Sequence, residues 1–140
     1  MKIFKAIFFF VVLSLTMATP SKAALSIVVN KSNTSDLSEG QVKNIFMGKL
    51  GQFTDGTEAV PVLFEAGKGA RTAFDDTVLQ RNTSQVDAVW SKLIFTGRRS
   101  PPLQAKDASE VLKEISSNPK AIGYLESGDV TDSVRVLATF

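Results

Sequence analysis

Short β-branched runs alternate with segments of helical periodicity along most of this chain, and that alternation is what most restricts the folds open to it. Leu25–Asn30 (LSIVVN) has the length and composition of a buried strand. Ser38-Glu39-Gly40-Gln41 is a capping box, and it opens a short helix whose buried face is Val42, Ile45 and Phe46 and which ends near Met47, with Gly48 where a left-handed cap is wanted. After the Asp55-Gly56 turn, Glu58–Phe64 resumes an extended apolar run, with Pro61 placing it near an edge or at a bulge. Gly67-Lys68-Gly69 leads into a helix over Ala70–Gln80, and a second helix runs from Thr83 or Ser84 to about Phe95. Val86, Val89, Trp90, Leu93 and Ile94 give that second helix a wide apolar face, and Trp90, Phe95 and Phe46 read as core.

Thr96–Pro102 (TGRRSPP) reads as an ordered loop, because glycine frees the backbone and the proline pair forbids helix. Asp107-Ala108-Ser109-Glu110 is a further capping box; it starts a helix with Val111, Leu112 and Ile115 inward that Asn118-Pro119 ends. Ala121–Leu125 and Ser133–Ala138 read as strands around a turn near Gly128-Asp129. The order implies an α/β domain with a mixed sheet flanked by helices on both faces.

The leading 23 residues have a different character. Lys2 and Lys5 precede an apolar run from Ala6 to Leu15, and Ser21-Lys22-Ala23 offers small residues where a signal peptidase needs them. The expectation is a signal peptide over residues 1–23, cleaved after Ala23, and one small domain over residues 24–140 in the periplasm. The apolar run is shorter than the roughly 20 residues that span a bilayer. This leader holds three of the sixteen Lys and Arg (Lys2, Lys5 and Lys22) and no acid, so residues 24–140 carry a net charge of −1. No global positive field draws the domain to nucleic acid, and the aromatic and basic interleaving of single-strand binders is missing.

Cysteine and histidine are both absent. The core must therefore hold without disulfides, and triad hydrolases and histidine-ligated zinc are excluded. No cofactor fingerprint and no metal-ligand spacing is present. Asp75 and Asp76 are neighbours on a helix and point apart, as members of a solvated face.

Two places can meet an anion. In Gly67, Lys68, Gly69, Ala70, Arg71 and Thr72, glycines between a strand and a helix start leave backbone N–H groups free to converge on an oxyanion, with Lys68, Arg71 and the Thr72 hydroxyl adding charge and donors. The stretch is neither GxxxxGK[ST] nor a full GxGxxG, and the same residues also serve as an ordinary connection with solvated cations. In the proline-braced loop, Arg98 and Arg99 can clamp a carboxylate or phosphate, or simply complement a helix C-terminus.

Leu37-Ser38 into Val42, Asn44-Ile45-Phe46-Met47-Gly48-Lys49, the Asp55-Gly56 turn, the glycine-rich helix start, the tryptophan helix and Ala121-Ile122-Gly123-Tyr124 together resemble the phosphate ABC transporter substrate-binding proteins. The likeness is closer to their short stand-alone relatives, in which Phe95-Thr96-Gly97-Arg98 and Pro101-Pro102 also recur, and it runs from about Ile27 to Leu137. It implies a single lobe of a type 2 periplasmic binding protein that is not an enzyme. It also implies phosphate or another small oxyanion at the glycine turn, and an ABC transporter membrane component as partner. In the full-length family the turn resembles Arg-x-Asp-Gly-Ser-Gly-Thr. Here Phe64, Ala66, Lys68 and Ala70 stand in place of the arginine, aspartate, serine and threonine, and Gly67 and Gly69 are kept. The alternative implied by that departure is an interaction module of the cell envelope that uses the former cleft face, with Leu50 and Phe53 exposed, to bind a partner or a second copy as a homo-oligomer.

Overall fold

The computed structural model describes residues 24–140, so the signal-peptide expectation for residues 1–23 lies outside the described residues. Strand β1 (Leu25–Asn30) is buried along its whole length, as an apolar run covered on both faces must be. It runs antiparallel to β4 (Ala121–Glu126) on one side and to β5 (Val134–Thr139) on the other. Strand β2 (Val60–Phe64) lies parallel to β4 and to the short β3 (Leu103–Ala105), giving a mixed sheet of order β3-β2-β4-β1-β5. The α/β class and the mixed sheet are those expected. Strand β3 was not anticipated: three residues after a proline pair are too few for a period to show.

Pro61 sits in β2 beside Ile122 of β4, and the flanking Val60 N–H donates to the Lys120 carbonyl. Its missing donor therefore faces the other side, where β3 has yet to begin because its pairing starts at Val62. The strand is interior, yet at Pro61 it is locally an edge.

Helix α1 (Glu39–Phe46) starts at the predicted capping box, in which Ser38 and Gln41 bond reciprocally. It ends at Gly48, where φ is 71° and a Cβ would collide with Leu93. Trp90 Nε1 donates to the Phe46 carbonyl at 2.9 Å and ties α3 (Thr83–Phe95) to this end of α1. On the same sheet face, Tyr124 stacks on Phe74 at 3.8 Å and meets Phe46 edge-on at 5.8 Å. Its hydroxyl accepts the Phe64 N–H at 3.0 Å, and burial pushes that phenol well above its usual pKa.

The opposite face is covered by α4 (Ala108–Ser117), whose Val111 and Ile115 lie over Gly123; a Cβ there would stand 3.2 Å from Ile115 Cδ1. Asp107 caps α4 through the Glu110 amide as expected, but the Glu110 carboxylate accepts from Lys106 N–H at 2.7 Å instead of closing the box on Asp107. No described helix is long and apolar enough to cross a membrane.

Two expectations about helices need correction. The single helix expected over Ala70–Gln80 divides into α2 (Gly69–Phe74) and a π turn over Asp75–Leu79, closed by Gln80 in the left-handed region with its N–H on the Asp75 carbonyl. Phe95, read as core, is 92% exposed. The buried side of α3 is set by Val86 and Trp90, and at about 100° per residue Phe95 falls some 140° away from Trp90.

Candidate functional site at the open end of helix α2

Ligands of open α/β sheets gather outside the carboxyl ends of parallel strands. At that end of β2 the chain leaves the ladder with Glu65 N–H donating to the Ala105 carbonyl at 2.9 Å. Gly67 then turns back at φ 88°, a conformation that costs a residue bearing a Cβ. Lys68 is the N-cap in extended conformation, with no side chain capping the helix. The first helical bond is Thr72 N–H to the Lys68 carbonyl, so the amides of Gly69, Ala70 and Arg71 open the helix without a protein partner. Gly67, Lys68, Gly69 and Thr72 are exposed, Ala70 is half-buried, and a Cβ built on Gly67 or Gly69 meets nothing within 4 Å. The turn is unplugged.

Arg71, expected to add charge to this turn, faces the other way. It is fully buried: Nε donates to Asp75 Oδ2 at 2.8 Å, Nη2 to Asp87 Oδ1 at 2.7 Å and Nη1 to the Phe64 carbonyl at 3.1 Å. Burial opposes its charge, but the hydrogen bonds and charges of Asp87 and Asp75 outweigh it and hold the guanidinium above its usual pKa. Asp75, read as part of a solvated face, is also buried; Asp76 alone of the two is exposed. The burial of Asp75 raises its pKa against the hydrogen bonds of Arg71 and Thr83, and its Oδ1 has no partner. This cluster links the end of β2, helix α2, the π turn and α3. The i, i+4 spacing of Arg71 and Asp75 was the signal that could have found it.

Beside Gly69 and Thr72 lies a hollow of about 670 Å³ whose walls include Leu25, Phe140, Asp76 and Glu126. Its charged side chains are thus carboxylates, and the nearest exposed cation along the chain is Lys68.

Arg98 and Arg99 stand at the other end of β2. Arg99 Nε donates to the Gly48 carbonyl at 3.0 Å, and both arginines line a cleft of about 230 Å³ with Val60, Pro61 and Trp90. The length of β2 alone, about 13 Å, separates the two groups, so they do not converge on one small ion. Phe53, expected on an exposed face in the interaction reading, is 2% exposed, and Leu50 packs against the core. No group of acidic side chains suited to a metal occurs among the described residues.

No protein-family model and no curated protein matches the chain. Solved structures do. An ABC-type phosphate transport receptor from Vibrio cholerae superposes with a TM-score of 0.63 at 21% identity, over 88% of this chain and 52% of that one. A Clostridium perfringens protein, described as a phosphate ABC transporter substrate-binding protein and solved with bound phosphate, gives 0.66 at 23% identity, over 82% and 45%. PstS from Borrelia burgdorferi gives 0.63 at 15% identity, over 82% and 46%. The chain spans about half the length of the structures it matches, and it has the fold of one lobe of these phosphate-transport binding proteins.

Proposed function

We propose that the chain is an exported, non-enzymatic substrate-binding-like module. In this reading it offers the amides of Gly69, Ala70 and Arg71, with Lys68 and the Thr72 hydroxyl, to a small oxyanion such as phosphate, and works with an ABC transporter membrane component. The observation that carries the reading is the superposition of most of this chain on half of a phosphate receptor, together with an uncapped helix start at the carboxyl end of β2. Export rests on the Lys-flanked apolar run and the Ser21-Lys22-Ala23 site.

The chemistry predicts weak capture. Neutral amides and one exposed lysine form a single wall of a site, Arg71 is turned inward, and Asp76 and Glu126 oppose a dianion from the adjoining hollow. A dissociation constant of roughly 1–10 mM is expected, compared with the roughly micromolar or tighter values of an enclosed site. Calorimetric titration of residues 24–140 with phosphate, sulfate and small carboxylates tests this. Weak heats with the tetrahedral anions support the reading, and no heat with any of them contradicts it. The inward arginine and the two carboxylates favour a second reading, in which this lobe face meets a partner protein or a second copy. Sedimentation showing a dimer that phosphate does not perturb would support that one.

A further inference from the structure

The proline-braced loop borders a charged cleft that anion binding at the glycine turn does not use. It opens beside Val60 and Pro61, where β3 does not yet pair with β2 because that ladder starts at Val62. Arg99 is half-buried in its wall and is held from two sides. Its Nε donates to the Gly48 carbonyl at 3.0 Å and its Nη1 to the Arg98 carbonyl at 3.1 Å. A Cβ on Gly51 would stand 3.1 Å from Cζ and 3.3 Å from both Nη1 and Nη2, so the flat face of the guanidinium lies against that glycine. Of the five N–H groups of the guanidinium two are thus taken; the other three, both of those on Nη2 included, have no hydrogen-bond partner among the described residues. Neither Arg99 nor Arg98 forms an ion pair among the described residues.

The carboxylate among the residues lining this cleft is Glu58. It reaches Lys120 only at 3.5 Å, both side chains are more than half exposed, and a pair of that kind contributes little. A fixed guanidinium without an anion and a carboxylate without a firm cation, on one cleft, complement a molecule that carries a carboxylate and an ammonium together. Phosphate or a dicarboxylate would gain Arg99 but meet the like charge of Glu58. The volume of about 230 Å³ lies below the roughly 300–1,000 Å³ of drug-sized sites, which limits the guest to a small molecule. Leu50, Pro61 and Trp90 add apolar wall. We infer that this cleft is a second ligand site, for a small apolar α-amino acid. The carboxylate of the amino acid takes the free N–H groups of Arg99, its ammonium turns to Glu58, and its side chain lies along Leu50 and Pro61, with Arg98 adding positive charge. The cleft and the glycine turn stand at opposite ends of β2, so this inference does not rest on the anion reading.

The test is an NMR titration of residues 24–140, which carry the five-stranded sheet and the helices on both its faces, with leucine and, separately, with N-acetyl-leucine. Leucine should give saturable shifts at the amides of Gly51, Glu58 and Arg99, with a dissociation constant on the order of 1 mM for so open a site. N-acetyl-leucine keeps the carboxylate and the side chain but has no ammonium, and it should bind about fivefold more weakly or not at all. Glu58→Gln, at an exposed position, should weaken leucine about fivefold and leave N-acetyl-leucine unchanged or tighter. Arg99→Lys keeps the charge but loses the fork, and should weaken both ligands about tenfold. That variant also loses the Nε bond to Gly48, so its melting is followed by tryptophan fluorescence; should it fail to fold, Glu58→Gln decides. Absence of saturable shifts at those amides with leucine overturns the inference. Equal binding of the two ligands, or leucine binding that Glu58→Gln leaves unchanged, overturns it as well by leaving the ammonium without a role. Shifts at Gly69, Ala70 and Arg71 on phosphate addition belong to the other site, so either reading fails without the other.

Discussion

Arg71 shows how differently one residue can read in sequence and in space. Between two glycines and a threonine it looks like a ligand for an anion; in the fold its guanidinium is a buried crosspiece bonded to Asp75, Asp87 and the Phe64 carbonyl. Removing one partner from a buried pair leaves the other charge uncompensated, which costs more than the intact pair contributes. Arg71→Met is therefore expected to destabilise residues 24–140 by about 3–5 kcal/mol at neutral pH. The double change Arg71→Met, Asp75→Leu should restore most of that loss, and chemical denaturation checks both. An Arg71→Met protein as stable as the parent would show that the guanidinium is not the crosspiece described. The residue types were legible in the sequence, but the direction of the side chain was not. Burial of Asp75 depends on the π turn, and a five-residue turn of that kind leaves no periodic trace.

At the scale of elements, the sequence was most informative where a local interaction decides the outcome. The Ser38 cap, the Asp107 cap and the strand runs of β1 and β4 stand where reciprocal hydrogen bonding and β-branching place them. It was least informative where tertiary packing decides: β3 exists because β2 offers it a ladder, and the exposure of Phe95 depends on which side of α3 meets α1. The start of α2 permits a pointed test of the candidate site. Lys68 already has extended geometry (φ −79°, ψ 140°), which the residue before a proline prefers, and Gly69 occupies the first helical position, where proline is tolerated. Space at Gly69 is open as well. Gly69→Pro should thus leave stability equal or slightly higher, by up to about 1 kcal/mol, while deleting one of the three amide donors. The expected result is phosphate binding about tenfold weaker with an unchanged melting profile. Undiminished binding by that variant would remove the amide of Gly69 from the site.

Considered as a whole, the molecule has two chemically distinct ends. The carboxyl end of β2 presents uncapped amides beside a hollow walled partly by Asp76 and Glu126, and the other end presents Arg98, Arg99 and Phe95. The mixed α/β class was readable from the order of strands, turns and helices, because each element carries its own local signal, whereas the single phosphate-receptor lobe was implied by the resemblance of the motifs. The separation of Lys68 from Arg99 was not readable, since it follows from which end of a parallel strand each loop joins. The account's central claim is that the amides of Gly69, Ala70 and Arg71 receive a small oxyanion. Residue-resolved NMR of residues 24–140 during phosphate addition tests it most directly. The account predicts saturable shifts largest at those three amides. Shifts confined to the region of Arg98 and Arg99, or none at all, would contradict it.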